Sequence, residues 1–137
     1  MKTRILLLVT AAATLLALSA FPQGGNEASS DSIWGGEHIE LTVTASGAEI
    51  EFDCANGTIA EPIPLASNSG FKLKGTFTRE HGGPVRENEP SRVAAATYSG
   101  AVENGTMHLK VTVSGKEPYQ EFFVLRRGHA GQVVKCR

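Results

Sequence analysis

The chain has 137 residues, and its 13 Lys and Arg against 14 Asp and Glu give a net charge of −1 at pH 7. This length corresponds to a single domain of common size. Arg126 and Arg127 form the only adjacent pair of basic residues, so the composition excludes a basic patch for nucleic acid or an anionic membrane.

The N-terminal segment has the pattern of a secretory signal peptide. Lys2 and Arg4 precede an apolar run that continues to Ala20, and the small residues Ala17 and Ser19 complete a plausible cleavage site. An uncleaved anchor is the alternative, although a membrane span needs roughly 20 apolar residues and this run is about as short as a span can be. We therefore predict export to the periplasm or to the medium.

The predicted organisation is a signal peptide over 1–20, a flexible linker over 21–32 and a β-barrel domain over 33–137. Loss of Lys2 and Arg4 with the signal peptide leaves 11 basic residues against 14 acidic ones, a net charge of about −3. Charges of both signs are interspersed along the domain, as on an ordinary soluble surface.

Apolar and polar residues alternate along the domain, which is typical of half-buried antiparallel strands. The alternation predicts eight strands, the last of which ends at Cys136, over about 38–44, 48–54, 58–63, 71–78, 92–103, 107–113, 119–127 and 132–136. Asn56-Gly57 and Asn104-Gly105 each predict a two-residue hairpin turn. The predicted fold is all-β: an antiparallel meander closed into a small barrel, with a two-sheet sandwich as the alternative.

Cys54 and Cys136 are the only cysteines, and an exported protein with one pair is expected to form one disulfide. Eight alternating strands would place both at the same end of the barrel. Two strand spacings amount to about 9.6 Å, more than the usual Cα separation of about 5.5–6 Å in a disulfide, so the strand ends must lean together. A redox or metal-binding thiol pair is the alternative, but the Cys-x-x-Cys spacing is missing.

The four histidines divide between the two ends of the predicted barrel. His38 and His81 belong to one end, and His108 and His129 belong to the other. A catalytic zinc usually takes three protein ligands, so we predict no metal and no cofactor. No general base lies at a readable spacing from a serine, and the chain is therefore not expected to be an enzyme.

The connection over 80–90 is the longest in the domain and contains His81 and Arg86. Long loops on a rigid frame often carry function. We predict that binding involves His81, Arg86 and Trp34, and that all three lie at the end of the barrel that carries this loop. The alternative is a purely structural connection in which Arg86 pairs with Asp53 or Glu87 and Trp34 plugs the core.

Three segments together resemble a set of small exported bacterial proteins of unassigned function. They are Trp34-Gly35-Gly36-x-His38, Asp53-Cys54-Ala55-x-Gly57-Thr58-Ile59, and His81-Gly82-Gly83-Pro84-Val85-Arg86. The resemblance implies export and a β-rich domain, and it transfers no activity. At the level of the fold alone, a small exported β-barrel with one cysteine pair also looks like the periplasmic inhibitors of c-type lysozyme.

These observations predict an exported, non-catalytic interaction or binding module. Its partner is expected to be an envelope or extracellular protein or a small ligand, with no nucleic acid and no membrane after signal cleavage. We expect a monomer. A lipocalin-like carrier of a small apolar ligand and an enzyme of unknown class are the alternatives.

Overall fold

The computed structural model describes residues 32–84, 86–89 and 92–136. The predicted signal peptide and almost all of the predicted linker lie outside the described residues. Within the described part of the chain, no helix is long and apolar enough to cross a membrane.

The described chain forms a closed, eight-stranded antiparallel barrel in which each strand pairs with the next and the last pairs with the first. The strands are β1 (Ile33–Gly36), β2 (Ile39–Val43), β3 (Ala48–Phe52), β4 (Ala55–Ile59), β5 (Ser69–Arg79), β6 (Val93–Glu103), β7 (Thr106–Val113) and β8 (Tyr119–Arg127). The predicted meander and its closure are therefore confirmed, and the sandwich is excluded.

The predicted set of eight strands is wrong at both of its ends. An additional strand, β1, precedes the first predicted one, with Trp34 paired to Leu41 of β2. The segment after β8 is not a strand of the barrel, and it contributes only one isolated bridge, from Gln132 to Glu37. We call residues 128–136 the tail. The tail crosses the outside of the barrel so closely that a Cβ on Gly35 would lie 2.4 Å from the amide nitrogen of Gly131.

Of the two Asn-Gly pairs, only the second forms a turn. Asn104 and Gly105 both have positive φ, 48° and 76°, as a type I′ hairpin requires. Asn56 and Gly57 lie inside β4, opposite Glu51 and Ile50 of β3. The β3–β4 turn comes earlier, at 53–54.

The barrel interior is filled with side chains. The largest fully buried ones belong to Trp34, Tyr98, Ile39, Leu41, Ile50, Met107, Leu109, Leu125, Val102 and Val111. Tyr98 satisfies its hydroxyl by donating to the carbonyl oxygen of Thr76 at 2.6 Å, and its burial raises the pKa of the phenol above the usual range. A small barrel can close in this way around side chains alone.

The disulfide between Cys54 and Cys136 is present, and its Cα atoms are 4.9 Å apart. The two cysteines are not separated by two strand spacings, because the tail leaves the sheet and approaches Cys54 from outside the barrel. There the N–H of Cys54 donates to the carbonyl oxygen of Val134. The prediction that both cysteines lie at one end is confirmed.

Candidate functional site

Alternation of strand direction gives the barrel two different ends. The loop end, as we name it, carries the β1–β2, β3–β4 and β7–β8 turns and the long β5–β6 connection over 80–92. The opposite end carries the β2–β3 and β6–β7 turns and the β4–β5 connection over 60–68. The disulfide lies at the loop end, because Cys54 is in the β3–β4 turn.

An aromatic cluster closes the interior at the loop end. The ring of Phe52 lies 5.3 Å from that of Phe77 and 5.6 Å from that of Phe123, between centroids. Phe77 stacks on Tyr119 at 5.4 Å, and the guanidinium of Arg79 lies 5.7 Å from both of those rings. Contacts at these separations are favourable for aromatic pairs and for a cation over a ring. The space under the long loop is therefore occupied by side chains.

The long connection is braced across its base by a single carboxylate. Glu89 accepts a hydrogen bond from Arg92 and lies 3.1 Å from Nε2 of His81. Its own N–H donates to the carbonyl oxygen of Arg86 at 3.0 Å. The hydrogen bond from Arg92 is the main reason that the pKa of Glu89 is lowered. His81 therefore holds the loop together at its Nε2.

The side chain of Arg86, unlike that of His81, makes no ion pair with Glu89. It is exposed and lines an open depression of about 640 Å³, which the loop forms between His81 and Glu89. Among the described residues, no carboxylate lies within ion-pair distance of its guanidinium, so neither predicted structural partner, Asp53 or Glu87, engages it. The planar fork of an arginine is suited to bidentate contact with a carboxylate or a phosphate.

A second depression lies beside the loop. It is an open groove of about 770 Å³ between the end of the long connection and the β7–β8 turn, with Arg79, Arg92, Lys116 and Glu117 among its lining side chains. Arg79 pairs with Glu117 at 3.2 Å across this groove. Lys116 is exposed, and the described residues offer it no ion pair. Sequence reasoning missed this groove, because its residues come from three distant segments.

The tail is fastened beside the loop by more than the disulfide. Asp53 accepts a hydrogen bond from the N–H of Val134 at 2.7 Å, the main cause of its lowered pKa. Lys135 pairs with Glu51 and with Glu80. Partial burial would lower the pKa of Lys135, but these two hydrogen bonds outweigh it and raise the pKa. The end of the chain thus stiffens the frame from which the long connection starts.

Trp34 lies away from the loop end, and the prediction that it shares an end with His81 and Arg86 is wrong. It is fully buried. The guanidinium of Arg127 lies 4.9 Å from its ring centre, and Arg127 also donates to the carbonyl oxygen of Leu65 in the β4–β5 connection. The indole N–H is buried without a hydrogen-bond partner among the described residues. Trp34 therefore packs the core near the opposite end.

The other histidines lie at the barrel ends that the alternation of strand direction predicts for them. His38 is in the β1–β2 turn at the loop end, and His108 and His129 are exposed near the opposite end. In the part of the chain that the structure describes, no three His, Cys, Asp or Glu residues form a group that could hold a metal ion. The disulfide accounts for both cysteines.

Comparison with known proteins gives no family assignment. No family model matches the chain, and neither the curated proteins nor the solved structures give a significant match.

Proposed function

We propose that this chain is an exported, non-catalytic binding module that contacts its ligand or partner at the loop end of the barrel. Arg86 is the principal contact, through an acidic group of the partner. The observation that carries the proposal is a contrast within one loop. Glu89 contacts both His81 and Arg92, whereas the side chain of Arg86 is exposed and has no described carboxylate within ion-pair distance.

The loop has the properties expected of a recognition element. Binding loops work best when a rigid frame holds their ends. Glu89 holds the base of this loop. The hydrogen bond from Val134 to Asp53 and the ion pair of Lys135 with Glu80 hold the tail against the adjoining strands. A ligand would therefore meet Arg86 on a preorganised support.

The packed interior favours surface binding over the alternative of an apolar-ligand carrier. The positions where a carrier would hold its ligand are occupied by Trp34, Tyr98 and Met107, all fully buried. Export is supported by the disulfide, since such bonds persist in oxidising compartments.

The test compares three immobilised proteins in affinity capture from the envelope fraction and from the culture medium. Arg86→Ala is expected to lower capture of the partner by about tenfold or more, because a bidentate charge-assisted contact is lost. Arg126→Ala is the matched control, since Arg126 is also an exposed arginine but lies on β8 near the opposite end. Full capture by Arg86→Ala together with loss of capture by Arg126→Ala would overturn the proposal.

A further inference from the structure

The groove beside the long loop combines positive charge with accessible apolar surface. Three cationic side chains, Arg79, Arg92 and Lys116, line it together with a single acidic residue, Glu117. Val93 also lines it and is 55% exposed. The chain as a whole has a net charge of −1, so the groove differs in sign from the protein that carries it.

The register of the sheet brings two of these cations together. The last pair of the β5–β6 ladder contains Thr78, so Arg79 and Arg92 are the next opposing positions. Like charges that oppose each other on neighbouring strands are destabilising. Each arginine is balanced by one carboxylate, Glu117 beside Arg79 and Glu89 beside Arg92.

The carboxylate of Glu117 occupies only one edge of the Arg79 guanidinium. The contact is to Nε, at 3.2 Å, and no described residue accepts a hydrogen bond from the two terminal nitrogens. The rings of Phe77 and Tyr119, each with its centre 5.7 Å from the guanidinium, help to hold it in place. The end of the planar fork therefore remains available for two parallel hydrogen bonds to another carboxylate.

Lys116 adds a positive charge that nothing described balances. It lies in the β7–β8 turn, its side chain is exposed, and the described residues offer it no ion pair. With Glu89 and Glu117 balancing only two of the three cations, the groove has an excess of positive charge. Such a surface is complementary to an anionic partner.

We propose that the groove binds an extended acidic segment of another protein. One carboxylate of the segment meets the end of the Arg79 fork, a second meets Lys116, and an apolar side chain packs on Val93. Clustered arginines recognise acidic segments in this way. An extended segment fits better than a small ligand, because small-ligand sites enclose most of the ligand surface and this groove of about 770 Å³ is open.

The inference rests on the proposed function in placing binding at the loop end. It adds a contact region that does not include Arg86, and it names the class of partner.

Fluorescence anisotropy with a labelled synthetic peptide tests the proposal. The probe is a short peptide in which glutamate alternates with leucine. Two comparison peptides replace every glutamate by glutamine or every leucine by serine. The wild type is expected to bind the probe about tenfold more tightly than either, and more weakly as the salt concentration rises. Failure to bind the probe, or equal binding of either comparison peptide, would overturn the proposal.

Lys116→Glu is the diagnostic variant, because the side chain of Lys116 is exposed and holds no described part of the fold. Reversal of this charge is expected to weaken binding of the probe by about tenfold. Lys72→Glu is the matched control: it makes the same change of charge at an exposed lysine near the start of β5, towards the opposite end. It should bind the probe like the wild type. Equal weakening by both variants would show an effect of overall charge and would contradict the proposal.

Arg86→Ala separates this inference from the proposed function. If it abolishes binding of the probe while Lys116→Glu leaves binding intact, the loop takes the acidic group and the groove inference fails, whereas the proposed function stands. If Lys116→Glu weakens binding and Arg86→Ala does not, the groove inference stands, and the role of Arg86 is decided by the capture experiment.

Competition identifies the kind of ligand. Free N-acetylglutamate at the concentration of the probe should not displace it, because a single residue cannot contact Arg79, Lys116 and Val93 together. Displacement at that concentration would assign the groove to a small carboxylate and would overturn the proposal.

Discussion

His38 and Asp53 join two neighbouring turns at the loop end, with Nδ1 of the histidine 2.6 Å from Oδ2 of the carboxylate. The other oxygen of Asp53 accepts the N–H of Val134. One carboxylate therefore connects the β1–β2 turn to the tail, beside the disulfide.

This contact predicts a pH-dependent contribution to stability. The hydrogen bond to Asp53 raises the pKa of His38 above its ordinary value of 6.5. A raised pKa means that the folded state holds the proton more tightly, so the stabilisation is complete below pH 6.5 and is lost as the pH rises through the folded pKa. We expect the melting temperature of the wild type to exceed that of His38→Asn below pH 6.5, and the difference to shrink at higher pH.

Asparagine is the appropriate replacement because His38 has a φ of 63°, a conformation that asparagine tolerates. Melting curves of both proteins across this range make the measurement, with His129→Asn as an exposed control at the opposite end. A difference that is constant with pH would show that the ion pair contributes nothing.

The disulfide is expected to supply a large share of the stability. Cys54 and Cys136 are 82 residues apart in sequence, and a cross-link over such a loop is worth up to about 4.5 kcal/mol in the chain-entropy model. The double variant Cys54→Ala with Cys136→Ala should therefore unfold at a clearly lower denaturant concentration. Lys135→Met removes the adjacent ion pairs but keeps the bridge, and should cost about 1 kcal/mol or less, because its side chain is partly exposed. Equal effects of the two changes would contradict this ranking.

Gly57 is expected to be far less tolerant of substitution than the hairpin turn predicted from Asn56-Gly57 would suggest. A Cβ at this position would lie 2.3 Å from the hydroxyl of Tyr98, which donates to the carbonyl of Thr76. Gly57→Ala should therefore lower the free energy of unfolding by about 1–3 kcal/mol, through displacement of a buried hydrogen-bonded group.

The matched control for this change is Gly70→Ala in β5. There the nearest atom to an added Cβ is 3.8 Å away, and φ is not positive. Its effect should stay within about 0.5 kcal/mol. Denaturant unfolding of the two variants makes the comparison, and a neutral Gly57→Ala would mean that the space around Tyr98 is wider than the structure shows.

The sequence by itself determined the features that local chemistry controls. Period-two alternation identified the barrel and most of its strands, and Asn104-Gly105 identified a hairpin because both residues accept positive φ. The cysteine pair followed from composition, since the chain has two cysteines in a predicted exported protein. In the candidate site, the sequence identified the long connection and its exposed Arg86, because a loop of this length with glycines and proline stands out among tight turns.

Only the tertiary structure decided the features that depend on neighbours distant in sequence. Asn56-Gly57 has the same local chemistry as Asn104-Gly105, but pairing of β4 with both β3 and β5 holds it in a strand. The separation of Trp34 from the long loop likewise depends on which strands meet, because β1 pairs with the end of β8. The local conformational preference of a residue amounts to about 1 kcal/mol. Where it disagrees with the burial and strand register of the whole barrel, the barrel determines the conformation.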